Sequence, residues 1–88
     1  MKNDINNTEI LVRIFDLDHG LTEYPNVKFI RIVSEKYNLL IMKDYMPIIG
    51  EIDGTLSMKG DDVDLNFENL KAYYVHHNNT FNLMIKES

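Results

Sequence analysis

Leu70-Lys71-Ala72-Tyr73-Tyr74-Val75-His76-His77-Asn78-Asn79-Thr80-Phe81-Asn82-Leu83-Met84-Ile85-Lys86 is the stretch whose pattern decides the fold. β-branched and aromatic residues dominate its two arms, and Asn78-Asn79 between them tolerates the positive φ of a type I′ turn. That turn sets a register: His77 opposes Thr80, His76 opposes Phe81, Val75 opposes Asn82, Tyr74 opposes Leu83, Tyr73 opposes Met84 and Ala72 opposes Ile85. Opposed residues of an antiparallel pair share a sheet face, so Ala72, Tyr74, Phe81, Leu83 and Ile85 make an apolar face directed at a core. The other face holds Tyr73, Val75 and Met84 among His77, Thr80 and Asn82. It is too apolar for a plain solvent face. These three side chains belong either to the second layer of a two-sided core or to a surface open to a partner.

Just upstream, Thr55-Leu56-Ser57-Met58-Lys59 and Asp62-Val63-Asp64-Leu65-Asn66 flank Gly60-Asp61, which suits a two-residue turn. With that turn Lys59 faces Asp62, Met58 faces Val63, Ser57 faces Asp64 and Leu56 faces Leu65. One face then collects Leu56, Met58, Val63 and Leu65, and the other is polar. A slip of one residue would mix the two sets. Phe67-Glu68-Asn69-Leu70 reads as a corner between the hairpins.

The first half is less regular. Residues 1–8 are polar and Asn-rich and read as a disordered tail ahead of a single β domain over residues 9–88. Residues 9–15 carry apolar side chains on both faces, the pattern of a strand covered on both sides or a short buried helix, and their β-branched content favours strand. Asp16-Leu17-Asp18-His19-Gly20 is a loop, and Tyr24-Pro25-Asn26 a turn ahead of strands at 27–34 and 37–42. Pro47 interrupts the pattern, leaving 47–52 as a short strand or one helical turn. The expected fold is all-β, a small antiparallel sandwich or partly open barrel of about seven short strands.

Composition narrows the function classes. The chain has no cysteine, which excludes disulfides, thiol nucleophiles and Cys-based zinc sites. Fourteen acids against nine Lys and Arg give a net charge of −5, and the cations are scattered singly, which disfavours nucleic acid and anionic membrane surfaces. No apolar run serves as a signal peptide or a membrane span, so the expected compartment is the cytoplasm.

Candidate chemistry dissolves on inspection. Ile14-Phe15-Asp16-Leu17-Asp18 resembles the first motif of the haloacid dehalogenase phosphatases, and Ile52-Asp53-Gly54-Thr55-Leu56 echoes its completion. In that family the first Asp is the nucleophile and the second an acid/base, working with magnesium. Here the two parts are split across the chain. A metal-dependent phosphohydrolase using Asp16, Asp18 or Asp53 is the alternative reading of function. Asp16, Asp18 and Gly20 miss EF-hand spacing, because the glycine falls one position early and Val27 stands where the bidentate Glu belongs. His76 and His77 are adjacent on a strand and point to opposite faces, so they cannot chelate one ion; both read as solvated turn residues. No glycine spacing forms a phosphate loop. No catalytic, cofactor or metal residue is assigned.

One family resemblance spans residues 37–87. Tyr37-Asn38-Leu39-Leu40-Ile41, then Met46-Pro47-Ile48-Ile49, then Asp53-Gly54-Thr55-Leu56 resembles successive blocks of the N-terminal β-sandwich domain of the ATP synthase epsilon subunit. The hairpin at residues 73–84 is similar to that domain's closing hairpin. Lys43-Asp44-Tyr45 stands in place of the family's Gly-His-Ala, and the Gly-Gly before the last hairpin has no counterpart. The resemblance implies a sandwich fold and a protein-binding role. Together with the absence of a catalytic constellation, it makes a non-enzymatic β domain acting through a protein partner or self-association the expected function. Tyr73, Val75 and Met84 are the candidate surface.

Overall fold

The computed structural model describes residues 9–86, and every regular element in them is a strand. The polar tail expected at residues 1–8 lies outside the described residues. Six strands follow one another: β1 (Ile10–Asp16), β2 (Gly20–Ser34), β3 (Asn38–Met42), β4 (Ile48–Gly60), β5 (Asp64–His77) and β6 (Thr80–Ile85). Each pairs with its neighbour in the order β1-β6-β5-β4-β2-β3, and β1 also pairs with β2. Five strands therefore close into a barrel, with β3 added beside the second half of β2. All pairings are antiparallel except β1 with β6, the parallel seam that closes the ring. Closure gives β1 a partner on each side, while β3 keeps one edge open.

The strands are fewer and longer than the sequence suggests because bulges bend them where turns were expected. Pro25 and Asn26 together oppose Leu11: Val12 pairs with Tyr24 and Ile10 with Val27. Proline cannot donate to a ladder, so a bulge is where a strand can hold it, and Asn26 takes a φ of 60° there. The expected corner at Phe67-Glu68-Asn69-Leu70 is likewise a bulge inside β5. Gly54 pairs with Leu70 and Leu56 with Phe67, while Asn69 turns to a φ of 54°. Two residues opposing one reverses the side-chain alternation, which lets Leu65 and Phe67 as well as Leu70, Ala72 and Tyr74 face inward. Residues 47–52 resolve to strand, continuous with 55–59 as β4.

The closing hairpin has the expected register at all six pairs, from Ala72 with Ile85 to His77 with Thr80. Asn78 and Asn79 hold φ of 52° and 58°, as a type I′ turn requires. The other hairpin differs. Its two-residue loop is Asp61-Asp62, not Gly60-Asp61: Gly60 N–H donates to Val63 C=O at 2.8 Å, and Met58 pairs with Leu65. Gly60 has no positive φ and is not spent on the turn. It sits opposite Val27, where a side chain would run into the Asn26 carbonyl of β2. The register moves by two residues, so Leu56 and Met58 keep their inward face.

The core fills the barrel with aliphatic side chains from every strand, among them Val12, Ile30, Ile41, Ile52, Leu56 and Leu83, all fully buried. Tyr74 and Phe81 stack within it with ring centroids 5.3 Å apart. The Tyr37 hydroxyl donates to the Glu51 carbonyl at 2.7 Å and lies 3.2 Å from that of Tyr74, so the buried phenol has a polar partner. The interior face of β1 is covered, but its outer face is open at Phe15, so the strand is not buried on both sides.

A clasp joins the β3–β4 loop to the last turn. Asp44 N–H donates to Asn79 Oδ1 at 2.6 Å, and Asn79 Nδ2 donates back to Asp44 Oδ1 at 3.1 Å. Asn79→Gly is expected to lower the unfolding free energy by about 1 kcal/mol, since glycine keeps the backbone angle and loses both bonds. Asn78→Gly gives up no such contact and is expected to stay within about 0.5 kcal/mol of wild type. Urea melts of the two variants side by side check the difference.

Candidate functional site

Pairings across the barrel wall line up one row of outward side chains. Glu51 on β4 pairs with Tyr73 on β5, Tyr73 with Met84 on β6, Met84 with Phe15 on β1, and Phe15 with Leu21 on β2. Residues in register share a face, so Tyr73, Met84, Phe15 and Leu21 form an unbroken apolar row over four strands. Their relative exposures are 52%, 37%, 37% and 45%, too high for core and too contiguous for scattered surface apolars. Beside the row a groove of about 370 Å³ is lined by Phe15, Leu17, Leu21, Met84 and Ile85. The neighbouring row holds Ile49, Val75, Asn82, Arg13 and Glu23 in register. Ile49 stands well exposed and Val75 half-buried.

Charges frame the apolar row. Lys86 pairs with Glu51, and its ammonium lies 4.4 Å from the centre of the Tyr73 ring. The pairing with Glu51 holds the Lys86 ammonium above its ordinary pKa. On the other flank Arg13 Nε donates to Glu23 at 2.9 Å, and the guanidinium lies 5.5 Å from the Phe15 ring. Each cation thus rests on an aromatic of the row while its charge is met by a carboxylate.

All three residues singled out from sequence lie on this wall, and no second layer among the described residues covers them. Phe15 and Leu21 complete the row and were not foreseen. Their membership depends on the parallel β1–β6 seam and on residues 20–26 being strand, and neither shows in local periodicity. Phe15 did carry one signal, an aromatic out of phase with Ile10, Val12 and Ile14.

His76 corrects the expectation of a solvated turn residue. It is fully buried, because it opposes Phe81 and must share the core-directed face. Its ring packs 6.0 Å from Phe81 and 6.4 Å from Tyr45, centroid to centroid. Neither ring nitrogen has a hydrogen-bond partner among the described residues, and burial lowers its pKa. His77 is exposed on the opposite face.

The three aspartates of the phosphatase-like fragments are not brought together. Asp16 serves its own turn, accepting from the Asp18 N–H at 3.0 Å and pairing with His19 Nδ1 at 3.0 Å. The hydrogen bond from His19 is the main reason its carboxyl is held below the ordinary range, and the same bond raises the His19 pKa. Asp53 lies on β4, which does not pair with β1, and its N–H is donated to Ser34 Oγ at 3.0 Å. Among the described residues no three His, Asp or Glu side chains converge on a point that could hold a metal. Among the described residues no helix is long and apolar enough to cross a membrane. No family model and no curated protein sequence matches the chain.

Proposed function

We propose that this domain is a non-enzymatic binding module that docks a protein partner on the outer barrel wall at Tyr73, Met84, Phe15 and Leu21. The observation that carries the reading is that row itself: four half-exposed large apolar side chains in consecutive register, the first three on strands paired on both sides and Leu21 on the part of β2 paired with β1. A wall built on strands offers side-chain contacts without having to order its backbone on binding. Tyr73 and Phe15 supply aromatic anchors near the row's two ends, and the Lys86–Glu51 and Arg13–Glu23 pairs supply a polar rim. The reading places the module in the cytoplasm, in keeping with an acidic chain that lacks cysteine. The resemblance to the epsilon-subunit sandwich domain, which meets other subunits, supports a binding role and nominates rotary ATPase subunits as partners to look for.

Affinity capture from the source cell, with wild type beside the double variant Phe15→Ser, Tyr73→Ser, tests it. Both side chains lie on the outer face, so the variant is expected to keep the far-UV spectrum and lose the specifically captured protein. An identical set of captured proteins from both baits would refute the assignment of this wall. Clean absence of rotary ATPase subunits would remove the partner suggested by resemblance.

A further inference from the structure

The barrel has one strand outside the ring, and its edge is shaped for a copy of itself. β3 pairs only with β2 among the described residues, as the last strand in the sheet order. Ser34 N–H donates to Tyr37 C=O at 2.8 Å, which closes the β2–β3 turn with a bonded pair. Bonded and non-bonded pairs alternate along an antiparallel ladder, so Ile32 with Leu39 and Ile30 with Ile41 are the next bonded pairs. The N–H and C=O groups of Asn38 and Leu40 consequently point away from β2, as does the N–H of Met42. Met42 C=O already accepts from Tyr45 N–H at 3.1 Å, in the turn that follows.

Proteins ordinarily blunt such an edge with a lysine, a proline or a bulge. β3 has none of these: it reads Asn38-Leu39-Leu40-Ile41-Met42, and its pairing with β2 is unshifted. Leu40 and Met42 are 40% and 53% exposed on its outer side, next to Val33 at 43%. Charges occur only beyond its two ends, as Glu35-Lys36 before the strand and Lys43-Asp44 after it.

We propose that two copies of this chain pair edge to edge through β3, antiparallel about a two-fold axis at Leu40. In that register Leu40 exchanges backbone bonds with its own counterpart, and Met42 N–H donates to the Asn38 carbonyl of the other copy. The ends decide the direction. Antiparallel pairing sets the Glu35-Lys36 end of one copy against the Lys43-Asp44 end of the other, at both ends by symmetry. Parallel pairing in register would set each charge against its own like. A self-complementary patch of this kind is what a closed two-fold dimer requires.

The test is sedimentation of the full chain over a wide dilution series, with Leu40→Pro and Leu40→Lys beside wild type. Leu40 N–H is outside the β2 ladder, so proline there leaves the barrel's own bonds intact and removes a donor only from the new edge. The lysine variant places like charges together at the two-fold axis and leaves the backbone untouched. Wild type is expected to pass from monomer to dimer with concentration, with the Leu40 amide becoming protected from exchange as it does so. Both variants are expected to remain monomeric with unchanged circular dichroism. Wild type that stays monomeric across the series overturns the proposal, and so does a dimer that both variants still form. The wall at Tyr73 and Phe15 is not involved, so Phe15→Ser, Tyr73→Ser is expected to dimerise like wild type; loss of the dimer in that variant would move the interface to the other wall and overturn the proposal.

Discussion

Gly54→Ala is expected to lower the unfolding free energy by about 3 kcal/mol, although it adds a single methyl group. Gly54 pairs with Ser34, and the added carbon would fall on the Val33 carbonyl oxygen, 3.1 Å from Ser34 Cα and 3.2 Å from Val33 C. Each of those atoms is backbone, so no rotamer change relieves the clash. The surrounding bonds also resist separation: Asp53 N–H donates to Ser34 Oγ at 3.0 Å, and Glu35 N–H to the Asp53 carbonyl at 3.1 Å. A domain of this size has roughly 4–13 kcal/mol of total stability, so the loss would show plainly in a urea midpoint. Gly20→Ala is the matched control. Its φ is +75° but no atom lies within 4 Å of the added carbon, so only left-handed backbone strain of about 1 kcal/mol is expected. Equal midpoints for the two variants would show that strand crowding does not govern Gly54.

The same glycines show what the sequence could and could not convey. Asn78-Asn79 fixed its hairpin because both residues do their work locally, through their own backbone angles, and all six pairs followed from them. Gly60-Asp61 looked equally local. Gly60 is instead required by a strand remote in sequence, since β2 passes too close at Asn26 to admit a side chain, and the turn moved one residue along. Corner residues misled for a related reason. Pro25, Asn26, Glu68 and Asn69 have the chemistry of turns, and a bulge uses that chemistry to bend a strand without ending it. Whether a chain turns back or only bends depends on the neighbouring strand, which local composition does not describe.

Legibility of the binding wall followed the same division. Tyr73, Val75 and Met84 could be placed on one face because a single hairpin register suffices for that. Phe15 and Leu21 join them only through the parallel contact of β1 with β6, the first and last strands among the described residues. A contact of that sequence separation leaves no periodicity to find. Leu40 lies between these cases: its exposure follows from strand alternation, but the freedom of its backbone groups depends on β3 standing outside the ring.

Acid is expected to destabilise this protein through His76, and the variant His76→Leu is expected to lose that component. The imidazole is buried against Tyr45, from the β3–β4 loop, and Phe81, from β6; burial is the main cause of its lowered pKa, and the neighbouring His77 adds to it. The unfolded chain takes up this proton near the ordinary value of 6.5, and the folded chain only at lower pH. Between those limits the unfolded state holds more protons, so unfolding free energy falls as pH falls. The contribution is intact above about pH 6.5, and it declines by up to about 1.4 kcal/mol per pH unit toward the folded-state pKa. Replacing the ring with leucine removes two buried nitrogens that lack partners and retains an apolar side chain of similar bulk. The variant is therefore expected to be about 1 kcal/mol more stable at pH 8, with its advantage widening as the pH falls below about 6.5. His19 titrates with the opposite sign, because its pKa is raised by the hydrogen bond to Asp16 and its stabilisation is lost as pH rises through that value. That pair is present in both proteins and cancels in the difference. Urea melts of wild type and variant at several pH values between 5 and 8 measure the difference directly. A constant offset across the range would mean that His76 is reached by solvent and titrates alike in the folded and unfolded chain.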